Sequence, residues 1–344
     1  MVAGAPRYAS GVDATPRGLL VSERFLAKYG NALDAAAREG GIALERIVVP
    51  DDPEGRVDAG AVARIELAYF SGDVFPDLSR AFFAAALNAP SLRWLQVFNA
   101  GIDHPVFQRF LEKGVRLSNA SGSTAEPIAQ NAIAGLLMLA RGFPHWLGAQ
   151  ARRTWEPLPL AATPVDLREQ TIVVFGLGAI GSEIARLARA LGLRVVGVRR
   201  RPAAGGEPVD ELHAPERLPE LLPRADWLAL ACPLSDETRG LVGAKAIATL
   251  PAGARILNVS RGGVIDEPAL IASLRDGRLG GAYLDVFAEE PLPSESPLWA
   301  LPNVIVTPHN SAVSRGNERR QAEIFLRNLV RYGRGEPLLN EVRA

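Results

Sequence analysis

The 344-residue chain holds a single cysteine, Cys232. A lone thiol excludes an intramolecular disulfide and a cysteine-based zinc cluster, and it fits a reducing compartment. Neither sign of charge is in excess: Lys and Arg total 38, and so do Asp and Glu. A duplex-DNA binder carries a basic stripe that displaces phosphate counterions, and none is evident, so nucleic acid is not an expected partner. Long apolar runs are missing too. The longest with helical character, Ala132 to Ala140, falls far short of the roughly 20 residues that span a bilayer. No basic stretch followed by an apolar run marks the N-terminus, so no secretory signal, no membrane and a cytoplasmic location are expected. Met1 to Gly18 mix Gly, Ala, Pro and Arg without periodicity, as in a loose leader.

What is present is a regular alternation. Short apolar runs are separated by longer amphipathic stretches, which is the pattern of α/β domains with parallel sheets, and the length calls for two of them. In the first third, strands are expected at Arg46–Val49, Ile65–Phe70, Leu92–Phe98 and Val115–Ser118. Helices are expected at Val21–Arg38, Leu78–Asn88 and Pro105–Lys113. A nearly all-apolar helix over Thr124–Arg141 must be buried on several sides, in a core or at a subunit interface. Gly142–Arg168, rich in Pro and Trp, has the composition of an arm or linker. A second series places strands at Thr171–Phe175, Arg194–Val198, Trp227–Ala231, Ala254–Val259, Gly280–Leu284 and Val304–Thr307. An amphipathic helix from about Ser314 to Tyr332 then packs back on the first domain. The expected division is 1–120 plus 312–344 for a discontinuous domain, and 121–311 for the other.

The strand at Val173 runs into Gly176-Leu-Gly178-Ala179-Ile180-Gly181, followed by a helix from Ser182. This is a dinucleotide-binding turn. Gly176 allows the tight bend, Gly178 lets a pyrophosphate approach the backbone, and Gly181 lets helix and strand pack closely. The helix N-terminus offers free N–H groups and partial positive charge to the phosphates. An NAD site places Asp or Glu at the end of the next strand, for the ribose hydroxyls. Here Val198 is followed by Arg199-Arg200-Arg201, with no carboxylate. Guanidinium groups bind a 2′-phosphate that a carboxylate would repel, so NADP(H) is expected ahead of NAD(H).

Beyond the glycine turn the chain resembles the D-isomer-specific 2-hydroxyacid dehydrogenase family, and within it the NADP-preferring glyoxylate/hydroxypyruvate reductase-like members. Four stretches carry the likeness: Cys232–Thr238, Leu257–Asp266, Leu284–Pro291 and Pro302–His309. A looser match lies at Asn99–Asp103 and Asn119–Gly122. The resemblance implies two Rossmann-like or flavodoxin-like parallel-sheet domains with a cleft between them. It implies reduction of a 2-oxo acid to a D-2-hydroxy acid by hydride transfer, with Arg261, Glu290 and His309 as the catalytic set and no metal. It also implies substrate contacts from Arg261 and the amides of Ala100 and Gly101, cofactor contacts from Cys232, Pro233, Ser260 and Asp285, and a homodimer through the dinucleotide-binding domain.

Chemistry supports the three catalytic roles independently. A guanidinium grips carboxylate and carbonyl oxygens together, a histidine can protonate the new alkoxide, and a carboxylate on its other ring nitrogen orients it. Gln130 and Asn131 depart from the family pattern, which often has Glu and His there, and so does Asn310-Ser311-Ala312 after His309. Phe98, Trp146, Trp155 and Trp299 are candidates for lining the substrate pocket, and they leave the acid's side chain open. Two alternatives share the scaffold: a dinucleotide-sensing corepressor-like protein, and a formate or phosphite dehydrogenase.

Overall fold

The computed structural model describes residues 15–342 except 103, 203 and 204. Residues 1–14 of the expected leader lie outside that range, as does residue 103 of the Asn99–Asp103 motif. The chain forms two compact units, one of residues 1–123 with 315–344, the other of residues 124–314.

The first unit begins with β1 (Arg17–Ser22), α1 (Glu23–Gly40), β2 (Leu44–Val49), α2 (Ala59–Val62) and β3 (Ile65–Phe70). It continues with α3 (Ser79–Asn88), β4 (Trp94–Val97), α4 (Pro105–Glu112) and β5 (Arg116–Ser118). All five strands are parallel, in the order β2-β1-β3-β4-β5, the flavodoxin-like winding. β1 corrects the expectation of a helix from Val21. Its apolar run Leu19-Leu20-Val21 abuts the helix with no polar break except Ser22. The Ser22 hydroxyl marks the change by accepting a 3.0 Å bond from the Phe25 amide.

The second unit holds α5 (Ala125–Ala140), α6 (Phe143–Ala151), β6 (Thr171–Phe175), α7 (Ala179–Ala190), β7 (Arg194–Val198), β8 (Glu211–His213) and α8 (Leu218–Leu221). Then follow β9 (Trp227–Leu230), α9 (Ala244–Thr249), β10 (Arg255–Asn258), α10 (Glu267–Arg275), β11 (Gly281–Leu284) and β12 (Val304–Val306). The parallel sheet runs β12-β11-β10-β9-β6-β7-β8, a doubly wound order whose direction of growth reverses between β6 and β9. Two elements were not expected. β8 is three residues long, too short for an alternating pattern, and α6 lies inside the stretch expected to be an arm.

α5 is buried against this sheet rather than standing free. Ala129, Ala132 and Leu136 are fully buried with β6 and β10 side chains, and a Cβ on Gly135 would lie 2.5 Å from the Tyr283 ring. The chain then returns to the first unit as α11 (Asn317–Gly333), which packs on α1. Phe325 of α11 stacks on Tyr69, with ring centroids 4.2 Å apart. Asn328 donates 2.9 Å to Gln96 Oε1, which also accepts from Ser118 Oγ, and Ser118 Oγ accepts from Trp94 Nε1. This buried chain of hydrogen bonds joins α11 to β4 and β5. No helix among the described residues is long and apolar enough to cross a membrane.

Candidate active site

β6 sits beside the switch point of its sheet, where doubly wound folds open a crevice at the strands' carboxyl ends. Gly176 bends the chain there with φ +99°, and a Cβ would meet the Ala231 carbonyl at 2.7 Å. A Cβ on Gly181 would lie 2.0 Å from the Gly176 carbonyl oxygen, so only glycine lets α7 start this close to β6. Gly178 has open space where its Cβ would be, and no side chain caps α7. The first turn of α7, with Ala179 and Ile180, therefore presents uncapped amides toward an open approach. These residues fit a dinucleotide pyrophosphate.

The loops beside that turn are internally tied. Cys232 is 6% exposed, and burial pushes its thiol up to about 11, which makes it a wall rather than a nucleophile. Pro233 beside it is exposed. At the end of β7, Arg199 turns inward: Nε donates 3.0 Å to the Arg201 carbonyl, and Nη2 donates 2.7 Å to the Pro202 carbonyl and also pairs with Glu207. Arg200 instead extends outward to Glu237 at 3.4 Å. Glu207 and Glu237 escaped the sequence analysis. Glu207 lies eight residues past Arg199, and the loop has to fold back before the pairing exists.

Three neighbouring strands supply the chemical groups, with Asn258 of β10 aligned with Leu284 of β11 and Leu284 with Val306 of β12. After β10, buried Asn258 accepts from the amide and hydroxyl of Ser260, and its Nδ2 donates 3.2 Å to the Arg261 carbonyl. Arg261 is exposed. Among the described residues its guanidinium makes one hydrogen bond, 2.8 Å to the Ser260 carbonyl, and has no carboxylate partner. Gly262 follows because a Cβ there would fall 1.8 Å from the Phe287 carbonyl carbon, so the loops after β10 and β11 touch backbone to backbone.

After β11, the Glu290 carboxylate accepts 2.9 Å from the Phe287 amide through Oε1 and lies 2.7 Å from His309 Nδ1 through Oε2. A carboxylate can only accept, so Nδ1 carries the proton and Nε2 is left for other work. His309 has φ +50°, a left-handed backbone uncommon for a non-glycine residue. Asp285, 2% exposed, holds it there. Its oxygens accept from Thr307 Oγ1 (2.6 Å), from the Asn310 and Ser311 amides and from Ser311 Oγ, while the Asp285 carbonyl accepts 2.8 Å from the His309 amide. Asn131 of α5 adds a further tie, donating 3.0 Å to the Ser311 carbonyl.

The other three histidines have local duties. His104 caps α4, His145 faces the Glu156 carbonyl and His213 pairs with Glu211. In the first unit, Ala100 and Gly101 follow β4 in a loop pinned by Asn119 Nδ2 to the Ala100 carbonyl at 2.7 Å. Their two amides make no hydrogen bond among the described residues. Trp155 is 96% exposed and Trp299 54%, whereas Phe98 packs on Phe70. Among the described residues no group of three His, Cys, Asp or Glu could hold a metal ion.

Residues 133–311 match the family described as D-isomer specific 2-hydroxyacid dehydrogenase, NAD binding domain. The chain is 32% identical over 260 residues to the D-3-phosphoglycerate dehydrogenase of Methanocaldococcus jannaschii, with 74% of this chain and 48% of that protein covered. It therefore spans about half the length of that relative. It is 34% identical to the glyoxylate reductase of Aeropyrum pernix, with 72% of this chain and 75% of that one covered. A solved D-isomer specific 2-hydroxyacid dehydrogenase from Xanthobacter autotrophicus Py2, in complex with NADPH and MES, superposes with a TM-score of 0.73 at 31% identity. There 96% of this chain and 98% of that one are covered. The glycine turn, the Arg261 loop and the His309–Glu290 pair lie inside the matched segment, and the chain belongs to the D-isomer-specific 2-hydroxyacid dehydrogenase family of NAD(P)-dependent oxidoreductases.

Proposed function

We propose that the chain reduces a 2-oxo acid to a D-2-hydroxy acid and uses NADPH in preference to NADH. The observation that carries this is the His309–Glu290 pair, with Nδ1 2.7 Å from the carboxylate and the side chain half-exposed, on the loop adjacent to an arginine with no carboxylate partner among the described residues. Bound dinucleotide supplies the hydride that reduces C2. Arg261 neutralises the acid's carboxylate and steadies the negative charge that grows on the carbonyl oxygen. The amides of Ala100 and Gly101 are assigned a share of the carboxylate. His309 gives its Nε2 proton to the new alkoxide, and Glu290 stabilises the imidazolium before transfer and fixes the ring throughout. Ser260 and Asp285 act on the cofactor side by shaping the loops that flank it.

NADPH bound to the Xanthobacter relative supports the cofactor preference, as do the arginines after β7. Glyoxylate heads the substrate classes, in line with the Aeropyrum relative, and hydroxypyruvate and phenylpyruvate-like acids remain open. A cytoplasmic homodimer through the second unit is part of the proposal. Its support is the run of exposed apolar side chains in and after α6: Phe143, Trp146, Leu147, Trp155 and Leu160.

The test follows absorbance of NADPH, and separately NADH, against glyoxylate, hydroxypyruvate, pyruvate and phenylpyruvate. Oxidation of NADPH with one acid, abolished in His309→Ala and Arg261→Ala, is the expected result. Tight dinucleotide binding without turnover of any acid would sink the reductase proposal in favour of dinucleotide sensing.

A further inference from the structure

In the second unit β6 lies between β7 and β9. Arg200 follows β7 and Glu237 follows β9, yet their side chains meet at 3.4 Å. The pair must therefore reach across the end of β6, where the glycine turn presents its open backbone. Both side chains are largely in water, 73% and 72% exposed, so the contact is weak and easily exchanged.

Arg199 is bound differently. It is 19% exposed and its partner Glu207 14%, and it closes a ring with the Arg201 and Pro202 carbonyls, while Glu207 also accepts 3.1 Å from the Gly205 amide. Freeing Arg199 for a ligand would strip a half-buried carboxylate of its charge partner. Freeing Arg200 costs one exposed contact. Glu237 itself stands on a stitched turn: Thr238 Oγ1 accepts 2.8 Å from the Ser235 amide and donates 2.7 Å to the Pro233 carbonyl.

Building on the NADPH preference proposed above, we infer that Arg200 and Glu237 form a latch over the adenosine end of the cofactor site. Arg200 is the ligand of the 2′-phosphate, Glu237 is the placeholder that phosphate displaces, and Arg199 with Glu207 is an internal clamp that shapes the loop without touching the ligand. A phosphate dianion offers Arg200 more charge and more acceptor oxygens than one carboxylate, so the exchange favours the phosphate. Glu237 thereby lowers affinity for the 2′-phosphorylated dinucleotide and leaves affinity for the unphosphorylated one alone. Arg201 is exposed as well, but its carbonyl anchors the clamp, and among the described residues its side chain has no partner across β6.

The experiment is calorimetric titration of the full-length chain with 2′,5′-ADP and with 5′-AMP, which differ in the 2′-phosphate and need no turnover. Wild type should bind 2′,5′-ADP the more tightly. Arg200→Ser should lose about tenfold or more for 2′,5′-ADP and nothing for 5′-AMP, as removal of a charge-assisted partner predicts. Glu237→Gln, a change at an exposed site that leaves folding intact, should gain about threefold for 2′,5′-ADP alone. Arg199→Gln should weaken both probes together. A preference erased by Arg199→Gln but kept by Arg200→Ser would overturn the assignment while leaving the NADPH preference standing. No gain in Glu237→Gln would remove the placeholder role. A wild type that binds both probes equally would overturn the NADPH preference and the latch with it.

Discussion

The two units contain buried polar networks of similar size that end in different places. In the first, Trp94, Ser118, Gln96 and Asn328 bond to one another, and Asn328 closes the circuit on the backbone of Leu339. Every member is satisfied within the unit, and no charged group is involved. In the second, buried Asp285 and Asn258 also saturate themselves on neighbouring amides and hydroxyls and exposed Glu290 accepts from one amide, but their loops finish on Arg261 and His309, two exposed groups of the sort that handle anions and protons. A self-contained network reports on the fold. One that holds a charged or titratable group at the surface reports on chemistry. The first is built from neutral side chains alone and the second around carboxylates, and the bonds of the second lead outward.

The comparison is tested most severely where the second network ends. His309→Ala should cut kcat by about 10² to 10⁴, the usual contribution of a positioned general acid, with dinucleotide affinity unchanged. Arg261→Lys should keep charge but lose the planar fork, and lower kcat/KM for the acid by about 10² or more. Both are read from steady-state kinetics with thermal melts as controls, and melts should barely move. Inside that network, Asp285→Asn sets a donor against the Ser311 amide and hydroxyl. It should lower kcat by about 10-fold to 100-fold through a displaced His309, with KM changed far less. A fall in melting temperature with normal kcat would instead make Asp285 a purely structural residue.

The first network should respond in the opposite sense. Asn328→Ala leaves buried Gln96 short of a donor and should cost about 1–3 kcal/mol in denaturant unfolding, while kcat of the folded fraction stays normal. The smallest effect belongs to the rim of the second sheet. There Arg224, His213 and Arg194 hold the Glu211 carboxyl down to about 2. A depressed folded value against an unfolded one near ~4.3 gives stability that is present above that value and lost as pH falls toward 2. Glu211→Gln should therefore melt slightly earlier than wild type at pH 6 and indistinguishably from it near pH 2, as followed by circular dichroism.

Much of this was legible in the residues because some signals are local. The glycine turn combines a strand, a fixed spacing and a helix within twenty residues, and the strands on either side of it begin and end within a residue or two of expectation. β1 was hidden because the apolar period of a strand and the first turn of a helix run together at Leu19–Phe25, and only the Ser22 cap separates them. The arginines after β7 looked equivalent in sequence, yet folding gives Arg199 a buried partner from eight residues on and Arg200 an exposed one from the far side of β6. Asn131 had no visible role until α5 was laid beside the His309 loop. Such pairings depend on chain reversal, which leaves no periodic mark.

The return of α11 to the first sheet has a consequence for how the protein is made. On the ribosome, the residues of β1 to β5 emerge before the second unit and then wait while the whole of it is synthesised. Until Phe325 and Asn328 arrive, the Tyr69 ring lacks its stacking partner and Gln96 Oε1 has only its Ser118 donor, so the unit begun first finishes folding last. The second unit, continuous in sequence, can close on its own schedule. The nascent chain thus passes through a stage in which the half that binds dinucleotide is complete and the other half still exposes an apolar sheet face, the interval in which a chaperone would have most to protect.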